Sequence, residues 1–364
     1  MILTPSDTHR YCVIMCGGIG SRFWPYSRTD KPKQFLDFFG TGRSLLQMCY
    51  DRILPVVRPE NILVVTNRRY VDMVREQLPE IPEERILLEP DRRNTAPCIA
   101  WAAYHIAAID PEASMIVTPS DHLITRDNVF EQCVRRGFDF VERHDALLTL
   151  GINPTRPETG YGYIQIGKEV EPGLMKVKTF TEKPDKELAQ VFIDTGEFFW
   201  NAGIFLWSVK SIRQAIRRYA PDLASVFDAG TDDFGTPRER AFIDANFGGC
   251  PSISIDFAVM EKADNVYVEC VNFGWSDLGT WGSLYENSRK DANDNAFGHA
   301  NVIAYNSTGN IFLAPEGKLV VVNGMHDCIV ADAGDVLLIC PKSDEQHIKV
   351  MLTDVQLRNE DRYL

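Results

Sequence analysis

Over its first 150 residues the chain alternates short apolar runs with amphipathic stretches. The run YCVIM, just before Cys16, reads as a buried strand. Ser44 and Gln47 form a capping box that opens SLLQMCYDRIL, where apolar residues recur at helical spacing. Residues 61–66 (NILVVT) predict a second buried strand, 70–78 a helix, and RILLEP a short third strand. Asn94 or Thr95 caps a helix with Pro97 in its first turn, which runs through CIAWAAYHIAAI. SMIVTPSDH predicts a strand ending at Asp121, and 128–143 a helix. Strand, helix and strand at this spacing predict an α/β fold with a mainly parallel sheet. Such sheets bind ligands beyond the carboxyl ends of their strands, where the loop after Cys16 and Asp121 both fall.

The middle of the chain changes character. TGYGYIQIG, KVKTFTEKP and WNAGIFLWS are alternating or apolar segments separated by turn signals, with helices over 185–194 and 208–218. They read as further strands and a flap over the open side of the sheet. A helix over 237–246 stops at Gly248-Gly249, and SIDFAVMEKA and VYVECV lead to GWSDLGTW, where a strand gives way to a helix. From about Ala292 no helix is predicted. Short β segments spaced by Asn, Gly and Asp follow, as in a β-solenoid. The expected division is an α/β domain over 1–291 and a β-solenoid domain over 292–364.

Composition narrows the function classes. With 364 residues, 45% apolar and 24% charged, the chain can bury a sizeable core. A net charge of −13 argues against general binding to nucleic acid or an anionic membrane. The apolar stretches are too short to span a bilayer, and MILTPSDTHR lacks the pattern of a secretory signal. Nine scattered cysteines, with Cys12, Cys98, Cys133 and Cys340 inside apolar runs, suit a reduced cytoplasmic protein. The seven histidines (His9, His105, His122, His144, His299, His326, His347) show no ligand spacing. His122 is placed to orient Asp121, although a packing role is the commoner one. No nucleophilic triad or Cys/His pair is apparent.

Against that acidic background, Arg22 to Arg43 holds five Lys/Arg against Asp30 and Asp37. Arg22 and Lys33 flank the loop, and Arg28 and Lys31 add charge. Gly17, Gly18 and Gly20 let backbone N–H groups turn toward a ligand, and a polyphosphate matches both features. The loop lacks the Gly-Lys-Ser/Thr of a P-loop and the third glycine of a dinucleotide fingerprint, since Phe23 stands there. CGGIGSRFWPYSRTDKPKQF instead resembles the GGxGxRLWPLSR…PKQF signature of the sugar-1-phosphate nucleotidylyltransferases, in the mannose-1-phosphate guanylyltransferase form. Ser21, Phe23 and Tyr26 are small departures from it. RNTAP, TPSDH, FTEKP…WNAGIF and GWSDLGTW follow in the family's order. Singly, their Asp, Asn and Glu-Lys residues suit turns and caps equally well.

The resemblance implies a Rossmann-like nucleotidyltransferase domain with a mainly parallel mixed sheet and a small C-terminal left-handed β-helix. It implies transfer of GMP from GTP to α-D-mannose 1-phosphate with Mg²⁺, giving GDP-mannose and pyrophosphate. Gly17, Gly18, Gly20, Ser21, Arg22, Lys33, Asn94, Thr95 and Asp121 would bind GTP. Gly162, Glu182, Lys183 and Asn201 would bind the sugar phosphate. Asp121 and Asp277 would hold the metal, and Arg22, Lys33 and Lys183 would be the catalytic cations. Asn201 can donate and accept, which suits a hexose hydroxyl. Glu89 is a candidate to accept from guanine, and the preference for guanine comes from the resemblance alone. Alternatives are another sugar 1-phosphate such as heptose or glucose, another nucleoside triphosphate, a silent nucleotide-sugar-binding subunit, or a solenoid scaffold or acyltransferase. The solenoid segment suits assembly, for example as a homodimer. Ending at Leu364, the chain is expected to lack the cupin-type isomerase domain of longer relatives and any mannose-6-phosphate isomerase activity.

Overall fold

The apolar runs become strands of one large sheet. The computed structural model describes residues 5–298, 300–358 and 360–364. His299 and the first four residues of the N-terminal stretch lie outside the described residues. The chain divides into two units. Unit 1 comprises Met1–Gly17, Tyr50–Pro119 and Ile124–Trp275, and unit 2 comprises Gly18–Cys49, Ser120–Leu123 and Ser276–Leu364.

In unit 1, β1 (Arg10–Cys16), β2 (Ile62–Asn67), β3 (Ile86–Glu89) and β4 (Ser114–Pro119) are parallel neighbours, as their continuous apolar runs suggest. A two-residue β5 (Leu123–Ile124) follows, then β6 (Leu147–Ile152), β7 (Gly162–Glu171), β8 (Leu174–Glu182), β9 (Phe198–Ser208) and β10 (Val266–Val271). The order across the nine-stranded sheet is β3-β2-β1-β4-β9-β6-β10-β8-β7. The expected flap is therefore corrected: β7, β8 and β9 are hydrogen-bonded members of the sheet. β9 runs antiparallel between β4 and β6. Local alternation identifies a strand but not its partner, because pairing is decided by distant segments.

The predicted helices occur at Thr95–Ile109, Asp127–Arg143, Lys186–Thr195, Val209–Tyr219 and Glu239–Asn246. The first is apolar all round because residues Ala96 through Ala107 are buried in the unit 1 core with Phe205, Trp207 and Phe227. No helix among the described residues is long and apolar enough to cross a membrane. A helix at Pro221–Asp228 was not anticipated; its eight residues are too short to show a period, and Leu223, Ala224 and Phe227 join the same core. Cys12, Cys98, Cys133 and Cys340 are buried, as their surroundings in the sequence suggest.

After β11 (Trp275–Ser276), the β-rich end of the chain forms β12 (Ala296–Phe297), β13 (Asn301–Tyr305), β14 (Ile311–Leu313), β15 (Leu319–Asn323), β16 (Cys328–Asp332) and β17 (Leu337–Pro341). β12, β14 and β16 stack in parallel, β13 pairs in parallel with β15, and β17 turns back on β16. Ala296 lies opposite Ile311, and Ile311 opposite Ile329, so the chain advances by 15 and then 18 residues per rung. That inequality is why the repeat looks ragged in the sequence. Buried Asn295 and Asn310 hold the turns together. Asn310 donates to Asn295 Oδ1 (2.9 Å) and to the Met325 carbonyl (2.9 Å), and accepts from Cys328 N–H (2.9 Å).

One expectation for this region is corrected. A helix spans Ile348–Leu357, with Ile348 buried and Met351, Leu352 and Val355 packed on the unit 2 core. Its helical spacing was present but short, and adjoined a long β pattern. Phe23, Trp24, Leu36 and Phe38 of the glycine-loop segment share that core with Trp281, Ile311 and Ile329. Replacing Asn310 with Ala should destabilise the protein by about 2–4 kcal/mol, because three buried hydrogen bonds lose their partner. A lowered midpoint in urea unfolding measures this, and an unchanged midpoint would contradict the role of the turn asparagines.

Candidate active site

The glycine loop is closed by its own downstream motif. Lys33 N–H donates to the Ile19 carbonyl (3.1 Å), and the Gln34 amide to the Gly18 carbonyl (3.0 Å). The Ser27 hydroxyl also donates to Ile19. Gly20 has φ of 71°, and a Cβ there would lie 2.5 Å from Lys33 Cβ, so the position requires glycine. The two halves of the signature therefore make one object.

That object opens onto a cavity of about 340 Å³ within unit 2, lined by Gly20, Ser21, Arg22, Lys33, Asp121 and Asp277 among others. Lys33 is 3% exposed, and its ammonium donates to Asp121 Oδ2 (3.0 Å) and to the Asp277 carbonyl (2.6 Å). Burial pushes the Asp121 carboxyl up, but the charges of Lys33 and His122 and the Lys33 hydrogen bond outweigh it and hold it below the usual range. Asp277 Oδ1 accepts from Gly279 N–H (2.9 Å), which fixes the carboxylate at the start of the turn. Arg22 Nη1 reaches the Gly279 carbonyl at 3.4 Å, while its Nε is buried without a hydrogen-bond partner among the described residues. Arg28 and Trp24 serve elsewhere. Arg28 pairs with Asp335, and the Trp24 indole donates to the Tyr363 carbonyl (2.6 Å).

Unit 1 gathers the other predicted residues in two clusters. In the first, Gly162 lies opposite Glu182 in the β7–β8 ladder, and a Cβ on it would come within 2.5 Å of Glu182 Oε2. Lys183 donates to Glu182 Oε1 (2.6 Å). Asn201 Oδ1 already accepts from Thr149 Oγ1 (2.9 Å) and Gly203 N–H (3.2 Å), and Nδ2 donates to Asp256 Oδ1 (2.9 Å). One N–H remains, so Asn201 offers a ligand a donor rather than both functions. Asp256 was missed from the sequence, where it sits inside SIDFAVMEKA without a distinguishing neighbour. It begins a π-helical turn, and burial followed by the charge of Glu182 pushes its carboxyl up to about 6.

In the second cluster, Asn94 caps its helix by accepting from Thr95 N–H (2.8 Å), and the Thr95 hydroxyl accepts from Ile255 N–H (2.9 Å). Glu89, at the end of β3, is 7% exposed, and among the described residues its Oε1 has no hydrogen-bond partner. Burial pushes its carboxyl up to about 7, with Arg92 pulling back. Among the described residues no cluster of three metal-ligating side chains occurs, and His105 is paired with Glu239 (2.8 Å).

The family model for nucleotidyl transferases matches residues 11–294. The chain belongs to the nucleotidyl transferase family. The matched span contains every motif from the glycine loop through GWSDLGTW. A mannose-1-phosphate guanylyltransferase of Salmonella muenchen is 35% identical over 356 residues, covering 96% of this chain and 74% of that protein. One from Escherichia coli strain K12 is 36% identical over 369 residues, covering 97% and 75%. A crystal structure described as mannose-1-phosphate geranyltransferase from Thermus thermophilus is 30% identical, with a TM-score of 0.85, covering 96% of this chain and 99% of that one. The α/β nucleotidyltransferase fold with a mixed sheet is thus shared.

Glu89 gives this nucleotidyl transferase a measurable stability signature. An unfolded glutamate ionises near 4.5, whereas the folded one does so at about 7. Between those values the folded state keeps a proton that the unfolded chain has lost, so stability falls as pH rises through the window and stays lowered above it. Glu89→Gln should therefore stabilise the ligand-free protein by about 3 kcal/mol at pH 8, and little at pH 4.5. Urea denaturation at the two pH values tests this, and equal effects at both would refute it.

Proposed function

We propose that this nucleotidyl transferase moves GMP from GTP to α-D-mannose 1-phosphate, giving GDP-mannose and pyrophosphate. The reading is carried by the unit 2 cavity, where Arg22, Lys33, Asp121 and Asp277 meet from three separated motifs. The names of the relatives supply the substrates. A sugar-phosphate oxygen attacks the α-phosphorus as the bond to the α,β-bridging oxygen breaks, and pyrophosphate leaves with those electrons. A phosphate monoester has its second pKa near about 6, so the nucleophile arrives ionised at neutral pH and needs no side-chain base. Positioning and charge neutralisation are what the protein must provide.

Each cluster takes a part. Arg22 meets the departing pyrophosphate, and Lys33 and the N–H groups of Gly17, Gly18, Gly20 and Ser21 support the phosphates. Lys183 meets the sugar phosphate, while Glu182 and the remaining Asn201 N–H hold sugar hydroxyls beside the bare backbone of Gly162. Asn94 and Thr95 shape the base end, where the unpartnered Glu89 carboxylate accepts from the guanine N1–H and N2–H. Asp121 and Asp277 fit Mg²⁺, since both are hard oxygen donors on one cavity, and such an ion takes one or two carboxylates plus substrate phosphates. Bound there, it would neutralise and polarise the α-phosphate.

The same reading treats the C-terminal strands as a left-handed β-helix with an assembly role. Ile303 and Tyr305 on β13, and Leu319 and Val321 on β15, are exposed apolar side chains, and Ile303 lies opposite Val321. A second copy of the chain is the proposed cover for this face. Buried cysteines accord with the cytoplasm as its location.

Pyrophosphate release with Mg²⁺, crossing four nucleoside triphosphates against mannose, glucose and heptose 1-phosphates, tests the reaction. GTP with mannose 1-phosphate should be the productive pair; no release from any pair by folded protein would sink the reading. Arg22→Ala should lower kcat by roughly 10²–10³-fold. For the assembly, sedimentation should show a dimer that Val321→Lys converts to monomer, and a monomeric native protein would remove that proposal.

A further inference from the structure

The unit 2 cavity has one more cation than the motifs account for. Lys349 lines it, from the first turn of the Ile348–Leu357 helix. Its neighbour Ile348 is fully buried in the unit 2 core, so the start of that helix is held in place. Lys33 is committed to Asp121 and to the Asp277 carbonyl, and Arg22 and Lys33 together only balance the two aspartates. Lys349 is exposed, and among the described residues no hydrogen bond or ion pair of its ammonium is found. It therefore turns a neutral set of formal charges into one of +1, at a cavity where a polyphosphate would bring several negative charges.

We propose that Lys349 is a third cationic contact for the phosphate chain of the nucleoside triphosphate, supplied by the C-terminal helix rather than by any family motif. The assignment rests on the proposed function for its natural ligand. A compact ammonium on a flexible stem suits an anion whose oxygens shift as pyrophosphate departs. Lys349 is a binding residue, so its removal should be felt in nucleotide affinity and hardly in turnover.

The test compares Lys349→Ala, Lys349→Arg and Lys168→Ala, the last removing an exposed lysine of β7 that does not line the cavity. Binding of inorganic tripolyphosphate with Mg²⁺ is measured by calorimetry, and KM for GTP and kcat by pyrophosphate release. Lys349→Ala should weaken tripolyphosphate binding and raise the GTP KM by about tenfold, equivalent to one charge-assisted contact. kcat should stay within about twofold, Lys349→Arg should recover most of the loss, and Lys168→Ala should match the native protein. If Lys349→Ala and Lys168→Ala behave alike, the assignment is overturned while native turnover leaves the proposed reaction standing. A loss of kcat alone, with tripolyphosphate binding intact, would also overturn it and mark Lys349 as structural. If tripolyphosphate binding depends on Lys349 but no pair of substrates reacts, the phosphate contact stands and the proposed reaction fails.

Discussion

A buried ammonium is costly unless it is fully paired, and unit 2 is arranged around satisfying one. Lys33 is almost inaccessible, yet it reaches a carboxylate from one motif and a main-chain carbonyl from another. Its backbone meanwhile closes the glycine loop from below, and its Cβ sits where only a glycine at position 20 leaves room. Three chain segments far apart in sequence are thereby held to one geometry. Buried ion pairs of this kind contribute little net stability, because desolvation offsets most of the attraction. Here the pair holds the Asp121 carboxyl below its usual range against the upward push of burial.

The other carboxylates follow the opposite logic. Glu89 and Asp256 lie in unit 1 without a compensating lysine of that quality, and both are pushed up toward neutrality. A metal-binding carboxylate has to be ionised before its ion arrives. One that accepts from a ligand's N–H or O–H groups is completed by the ligand, and remains a destabilised site until then. Under the proposed reaction, the contrast between Asp121 and these two residues would separate a charged phosphate end from sites completed by a ligand's N–H or O–H donors.

Part of the backbone strain falls at the motifs. Among the described residues six non-glycine residues adopt positive φ. Asn94, Lys183 and Leu278 (66°, 50° and 45°) lie in or beside a motif that carries proposed chemistry, while Asp294, Asn306 and Asp327 belong to turns of the C-terminal β region. A left-handed backbone at a non-glycine residue is retained where the surroundings over-determine it. At Asn94 the side chain caps its own helix, and at Lys183 the backbone N–H bonds the Tyr161 carbonyl.

By itself the sequence determined the parallel half of the sheet, most of the helices, the ordered motifs and the identity of the charged residues around the loop. Those signals are local: continuous apolar runs, capping residues and glycines each act over a few positions. Only the tertiary structure placed β7, β8 and β9 within the sheet, revealed Asp256 behind Asn201, and brought Lys349 to the cavity lined by Arg22 and Lys33. Each of these depends on side chains meeting across long stretches of chain, where no spacing rule applies. The structure also reassigned residues whose type was read correctly but whose partners were not. Asn201 looked able to donate and accept until Thr149 and Gly203 occupied its oxygen, and Arg28, read as added charge beside the loop, is paired with Asp335. A residue's chemistry is written in its side chain, but how much of it remains available is settled by its neighbours in space.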